Sequence, residues 1–181
     1  SEGTLGIVTE VTLALAPQPN FTWGMMVFFT REQNAMAYVH ALRALPQAEQ
    51  PSAIEFFDQA CLALIRSEQE QLHAHQNIPA LNPAAQSAIY TEFTAESLPE
   101  RDEAINQVAD LLNAAGGDEQ ATWLALSRQD LEKLVAFRHA IPESINRIIA
   151  ERKRQYPNLT KLGSDMAVPD DKLDWVMKLY E

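Results

Sequence analysis

The chain opens with a short run of small, hydroxyl-bearing and glycine residues, Ser1-Glu2-Gly3-Thr4-Leu5-Gly6-Ile7-Val8-Thr9-Glu10, whose spacing could bind a ligand. Gly3 and Gly6 permit close approach of the backbone to a ligand, because they lack a Cβ atom. The amides of such a turn, with the hydroxyls of Ser1 and Thr4, can donate hydrogen bonds to phosphate oxygens or to the edge of a cofactor ring. The alternative interpretation is a glycine-containing loop that leads into a strand.

A second candidate is an arginine in the middle of a predicted helix. Arg138 interrupts the apolar spacing between Val135 and Ile141. Its planar guanidinium could hold a carboxylate through two parallel hydrogen bonds, a geometry that a lysine ammonium does not offer. The alternative is a solvated arginine whose alkyl stem covers apolar surface.

The histidines and the cysteine favour structural roles. His139 lies on a different helix face from Arg138, where a surface or capping role is expected. His73 and His75 have the spacing of a metal pair, but no third ligand accompanies them at a useful spacing, so we interpret them as loop residues. Cys61 lies on the apolar face of its helix and is expected to be a small buried hydrophobe. The sequence therefore predicts no metal site.

Charge and composition exclude several classes of function. The 181 residues carry a formal net charge of −11, which would repel phosphate backbones, so we expect no nucleic-acid partner. A local arginine or lysine could still bind a small anion. The single cysteine excludes a disulfide framework, an iron–sulfur cluster and a thiolate zinc site within the chain. No apolar run is long enough to span a bilayer.

An alternation of apolar side chains over residues 7–15 predicts a strand, which Pro17 and Pro19 would end. We place a domain boundary there, with residues 1–17 as the last strand of one domain and residues 18–181 as a second domain. Both termini are interpreted as cut ends, because the sequence has no initiator methionine and its last residues have helical spacing.

Beyond this boundary, strands and helices alternate. The predicted strands cover residues 22–30, 52–57, 87–94, 122–126 and a last one near 166–168. The first three predicted helices cover residues 31–45, a stretch through 61–65, and residues 102–115, the last of them capped by Gly116-Gly117. A long helix follows from residue 129, and Pro142 should kink or divide it. A terminal helix begins at residue 170. Two strand–helix–strand units predict an α+β protein with a ferredoxin-like antiparallel sheet, helices on one face and extra helices.

The opening sequence closely resembles the end of the FAD-binding domain in the vanillyl-alcohol oxidase / p-cresol methylhydroxylase superfamily. It fits best the branch with the FAD-linked oxidase C-terminal domain, which includes D-lactate dehydrogenases, the glycolate oxidase D subunit and D-2-hydroxyglutarate dehydrogenases. Two later segments are similar to further elements of that family, in the expected order. They are Phe137-Arg138-His139-Ala140-Ile141-Pro142-Glu143-Ser144, like its arginine-containing helix, and Ser164-Asp165-Met166-Ala167-Val168-Pro169, like its Asp-x-x-x-Pro strand.

The resemblance implies FAD as the cofactor, bound in part by Ser1, Glu2, Gly3, Thr4, Gly6, Ile7 and Val8. It also implies a small 2-hydroxy-acid substrate whose carboxylate is held by Arg138 and whose α-carbon hydride passes to the flavin. The family's catalytic and metal-binding histidines lie in a Gly-His-x-Gly motif beyond this chain. We therefore assign no catalytic residue to the chain and expect the fragment alone to be inactive.

The sequence departs from the hydroxyglutarate-type members at two positions. Pro142 stands where they have a threonine, and Gly163 stands where they have a lysine, with Lys161 nearby but displaced. In the hydroxyglutarate-type enzymes these two positions belong to the second group that binds a substrate carboxylate. Because the sequence departs from them there, the identity of the hydroxy acid stays open.

For the full-length enzyme, the expected electron acceptor is a quinone, a cytochrome or an iron–sulfur protein. A homodimer is compatible with the sequence, and the expected location is the cytoplasm, with peripheral attachment to the inner membrane as an alternative. Two other functions stay open. One is a non-redox ferredoxin-like module for small-molecule binding or interaction, and the other is the same flavin scaffold acting on a different substrate, such as an alkyl-glyceryl ether precursor or a cytokinin-like amine.

Overall fold

Antiparallel strands form the centre of the protein, as seen in a computed structural model that describes residues 4–161 and 168–180. Its main elements are, in chain order, β1 (Phe21–Phe29), α1 (Glu32–Arg43), β2 (Ala53–Phe57), α2 (Gln59–Leu72), β3 (Ser87–Ala95), α3 (Leu98–Ala114), β4 (Trp123–Ala125), α4 (Arg128–Lys153) and α5 (Leu173–Tyr180). The strand order is β2-β3-β1-β4, which two interleaved split βαβ units produce. The predicted α+β fold with an antiparallel sheet is confirmed.

Helices cover both faces of this sheet. Helices α1 and α3, the helices of the two split βαβ units, pack on one face around Trp23 and Phe29. The additional helices α2 and α4 pack on the opposite face around Phe28 and Phe57. The central strands β1 and β3 are consequently buried along almost their whole length. The continuous apolar run over residues 23–29 is typical of a strand that is covered on both faces.

Helix α3 begins four residues earlier than predicted and ends where its glycines indicate. Its start is fixed by Ser97, whose hydroxyl accepts a hydrogen bond from the backbone N–H of Glu100. At its end, Gly116 has a φ of +75°, and the N–H of Gly117 donates to the carbonyl of Leu112 over 2.9 Å. This is the glycine-terminated cap that the sequence predicts, because a residue with a Cβ would be strained at that φ.

Helix α4 is continuous over 26 residues, so Pro142 does not divide it. The helix starts at the predicted cap, where the Ser127 hydroxyl accepts from the backbone N–H of Asp130 over 3.2 Å. Buried Leu134 and Ile141 before the proline and partly buried Ile145 after it pack in the same core and hold the two halves against the sheet. Although α4 is long, neither it nor another helix in the described residues is apolar enough to cross a membrane.

The predicted strand over residues 7–15 does not form within the described part of the chain. Residues 4–15 are exposed and pair with no strand of the sheet. Both edges of β1, which follows directly along the chain, are already occupied by β3 and β4, so the sheet offers this segment no place beside β1. Most of the last predicted strand, near residues 166–168, lies outside the described residues, and Val168 is not in a strand.

A buried carboxylate connects α2 to α4. Glu68 of α2 is 4% exposed and accepts hydrogen bonds from Ser144 over 2.6 Å and from Arg147 over 2.5 Å, both on α4. His75, in the loop after α2, lies 2.6 Å from the same carboxylate through Nε2. Burial by itself raises the pKa of the Glu68 carboxyl, but the hydrogen bonds from Ser144, His75 and Arg147 outweigh it and hold the pKa below its ordinary value.

We expect Gly24→Ala to destabilise the fold, because α4 approaches β1 closely at this residue. A Cβ there would lie 2.8 Å from the backbone oxygen of Thr91 in β3 and 3.2 Å from the side chain of Leu131 in α4. The free energy of unfolding should fall by about 1–3 kcal/mol in denaturant titrations. Thr22→Ala, at an exposed position on the same strand, is the control and should change the free energy of unfolding by less than about 0.5 kcal/mol. Equal stability of Gly24→Ala and wild type would contradict the close packing.

The Glu68 carboxylate should also give the protein a pH-dependent component of stability. Its lowered pKa means that this contribution is present above the ordinary carboxyl value of 4.5 and is lost as the pH falls through the folded-state value. We expect Glu68→Gln to cost about 1–3 kcal/mol at neutral pH, and the difference from wild type to shrink on acidification. Denaturant titrations over a pH series measure this difference in the free energy of unfolding. Glu70→Gln, at an exposed position of α2, is the control for the loss of one carboxylate. A difference that stays constant down to acid pH would refute it.

Candidate functional site

Arg138 of α4 lies over the sheet beside residues of β2 and β3. Glu55 and Tyr90 are directly opposite one another in the β2–β3 pair, so their side chains share the face that α4 covers. The Nε of Arg138 donates to Oε1 of Glu55 over 2.5 Å, and Nη2 contacts the same oxygen. The guanidinium carbon lies 5.5 Å from the centroid of the Tyr90 ring. The guanidinium is thus held by an ion pair on one side and by an aromatic ring on another.

The electrostatics keep Arg138 charged and Tyr90 protonated. The hydrogen bond to Glu55 raises the pKa of Arg138, and the charges of Glu55 and Glu92 act in the same direction. Burial raises the pKa of Tyr90, and the hydrogen bond that its hydroxyl donates to Glu92 raises it further. Arg138 therefore stays a cation that can bind an anion, whereas the Tyr90 phenol is not a base.

An open cleft of about 440 Å³ lies next to this cluster. Its polar lining includes Glu55 and Arg138, and its apolar lining includes Phe57, Ile141 and Pro142. The side chains of Arg138 and Glu55 are 36% and 34% exposed, so the ion pair can be reached from solvent. Pro142 has no N–H with which to bond the carbonyl of Arg138, four residues before it, so this carbonyl is released from the usual helical pattern.

Sequence reasoning identified Arg138 but missed the carboxylates and the ring around it. Glu55 stands inside the apolar strand Ala53–Phe57, and Glu92 stands inside Ser87–Ala95. In each strand the glutamate is the one charged residue, and this was the signal that could have identified them, because a half-buried carboxylate needs a partner. Tyr90 gave no such signal, since an aromatic residue is ordinary in a strand.

The histidines and the cysteine lie in different surroundings. His139 is exposed and lies beside Arg138 in the lining of the cleft. His75 contacts Glu68 in the structural network between α2 and α4. No group of three or more potential metal ligands occurs among residues 4–161 and 168–180. Cys61 is half-buried rather than buried. Burial and the neighbouring Asp58 raise the pKa of the thiol to about 12, so it is not a reactive thiolate.

The residues predicted to bind a cofactor lie near the N-terminal end of the sequence. Ser1, Glu2 and Gly3 lie outside the described residues, while Thr4, Gly6, Ile7 and Val8 are described and exposed.

The space around Gly6 is open, since no atom lies within 4 Å of where its Cβ would be. An exposed backbone with hydroxyl and amide donors fits one edge of an FAD site, at Thr4, Gly6, Ile7 and Val8. The other walls of such a site are not supplied by residues 4–161 and 168–180.

Comparison with known proteins assigns the chain to a family. A family model described as "FAD linked oxidases, C-terminal domain" matches residues 18–179, which is most of the chain. A search of curated proteins finds no match. The matched range includes the whole sheet, its helices and the Arg138 cluster. The chain therefore belongs to the family of FAD-linked oxidase C-terminal domains, which form part of FAD-dependent oxidoreductases.

Proposed function

We propose that this chain is the substrate-side domain of an FAD-dependent enzyme that oxidises a 2-hydroxy acid, with Arg138 binding the carboxylate of the substrate. The observation that carries the proposal is the guanidinium of Arg138, which is charged, fixed in orientation and open to a cleft. The family assignment supports the flavin part of the proposal and favours it over a non-redox binding module.

The fixed guanidinium is suited to hold a carboxylate. Nε and Nη2 face Glu55, and among the described residues no acceptor is found for Nη1. A substrate carboxylate can therefore bind to the edge of the guanidinium formed by its two Nη atoms, while Glu55 and the Tyr90 ring hold the guanidinium in place. Holding the group from both sides limits the entropy lost when the substrate binds, which is the usual benefit of preorganisation.

FAD, when bound, would supply the acceptor for the hydride that leaves the α-carbon of the substrate. This domain would contribute orientation rather than proton transfer. Glu55 is paired with Arg138, and the Tyr90 hydroxyl donates to Glu92, so we assign the proton acceptor to neither of them. The apolar wall at Phe57, Ile141 and Pro142 would exclude water beside the bound substrate.

Arg138→Ala in the full-length enzyme loaded with FAD tests the proposal. We expect kcat/KM for 2-hydroxy acids to fall by about 100-fold or more, because a charged partner of the carboxylate is lost. The measurement is the rate of flavin bleaching under anaerobic conditions across a panel of 2-hydroxy acids. Arg138→Lys should recover only part of the loss, since lysine keeps the charge without the fork.

Arg152→Ala, an exposed arginine of the same helix, is the matched control and should bleach like wild type. A wild-type enzyme that no 2-hydroxy acid bleaches would overturn the proposed substrate class. Bleaching of Arg138→Ala at the wild-type rate would overturn the role of Arg138.

A further inference from the structure

The charge balance around Arg138 restricts what the cleft can bind. Glu55 and Glu92 lie opposite Tyr90 and Ala53, respectively, in the β2–β3 pair, so both carboxylates occupy the sheet face under α4. Glu55 contacts the guanidinium directly, and Glu92 is held by the Tyr90 hydroxyl. Among the described residues of this cluster, two carboxylates therefore face one guanidinium, and the formal sum is −1.

Lys161 does not correct this balance. Its Nζ lies 3.4 Å from Oδ1 of Asn146, to which it donates. Asn146 is eight residues beyond Arg138 on α4, or about 12 Å along a helix that rises 1.5 Å per residue. Within the described residues, Arg138 is the one lysine or arginine that lines the cleft. A second substrate carboxylate in the cleft would lie near Glu55, with no lysine or arginine other than Arg138 among the described lining residues.

Most of the remaining lining of the cleft is apolar and suits an uncharged group. Phe56, Phe57, Ile141 and Pro142 line it beside the guanidinium, and His139 is the further polar residue there. Apolar walls raise the free energy of a charge beside them, because the charge loses hydration without gaining a partner. A short apolar side chain on the α-carbon would instead be buried favourably.

We propose that Glu55 is a specificity-determining residue, which fixes the guanidinium of Arg138 and repels a second negative charge. The cleft then takes 2-hydroxy monocarboxylates with a short uncharged side chain and rejects 2-hydroxy dicarboxylates. This inference rests on the proposed function, since it concerns the same cleft and the same substrate carboxylate.

Glu55→Gln in the full-length enzyme loaded with FAD tests this assignment. Glutamine keeps an acceptor for Arg138 and nearly the same shape but removes the negative charge. The probes are 2-hydroxypropionate and 2-hydroxyglutarate, and the measurement is anaerobic flavin bleaching as a function of substrate concentration. We expect wild type to prefer 2-hydroxypropionate in kcat/KM. In Glu55→Gln, KM for 2-hydroxyglutarate should fall by about tenfold, and KM for 2-hydroxypropionate by less than about threefold.

Two further variants separate this effect from a change in folding or total charge. Glu92→Gln leaves the Glu55–Arg138 contact in place and should shift the selectivity in the same direction, by about threefold. Glu103→Gln, an exposed residue of α3 on the opposite face of the sheet, removes the same formal charge and should leave the selectivity unchanged. The shift in Glu55→Gln should also shrink as the salt concentration rises, which a purely structural role would not produce.

The outcomes distinguish this inference from the proposed function. If wild type oxidises 2-hydroxy acids but prefers the dicarboxylate, or if Glu55→Gln leaves the ratio of the KM values unchanged, the role of Glu55 is overturned and the proposed function stands. If Glu55→Gln does not fold, Glu92→Gln decides, and an unchanged ratio in that variant overturns the inference. If no 2-hydroxy acid bleaches the wild-type flavin, both proposals fail together.

Discussion

Burial of the central strands on both faces is the constraint on which the rest of the structure depends. Almost every residue of β1 and β3 is buried, so the sheet needs a layer of helices on each side. Helices α1 and α3 provide one layer through the two split βαβ units, and α2 with α4 provides the other. Loop residues after α2 complete the second layer, because Ile78, Leu81 and Ala85 are buried in the same core. The position of every charged group under α4 follows from this arrangement.

Two ion pairs on α4 show how burial separates structural from binding roles. The carboxylate of Glu68 is 5% exposed and is bonded by Ser144, His75 and Arg147, so its acceptor capacity is used within the protein. The pair of Glu55 with Arg138 is about one third exposed at both ends and borders a cleft. An ion pair of the first kind connects two helices, whereas in one of the second kind the guanidinium can bond a ligand in addition to its carboxylate partner. Both pairs use the same residue types, and their surroundings give them different roles.

Much of the fold could be predicted from local patterns. The alternating strands and helices, the glycine cap of α3 and the serine cap of α4 follow from side-chain periodicity and capping chemistry, which act over a few residues. The predicted strand at residues 7–15 failed because a strand needs a neighbour to accept its hydrogen bonds, and alternation does not reveal whether one is present. Pro142 did not divide α4 because the packing of the flanking turns outweighs one lost hydrogen bond.

The sequence by itself determined the fold class, the family resemblance and the choice of Arg138, because these depend on residue types and their spacing along the chain. The tertiary structure alone decided what surrounds Arg138. Glu55 is 83 positions away, and its contact with Arg138 depends on the register of β2 on β3 and on the path of α4 across the sheet. No periodicity encodes a contact of that kind, because it arises when separate elements share one core. The same packing gives the cleft its charge, and with it the preference for a single carboxylate that we infer.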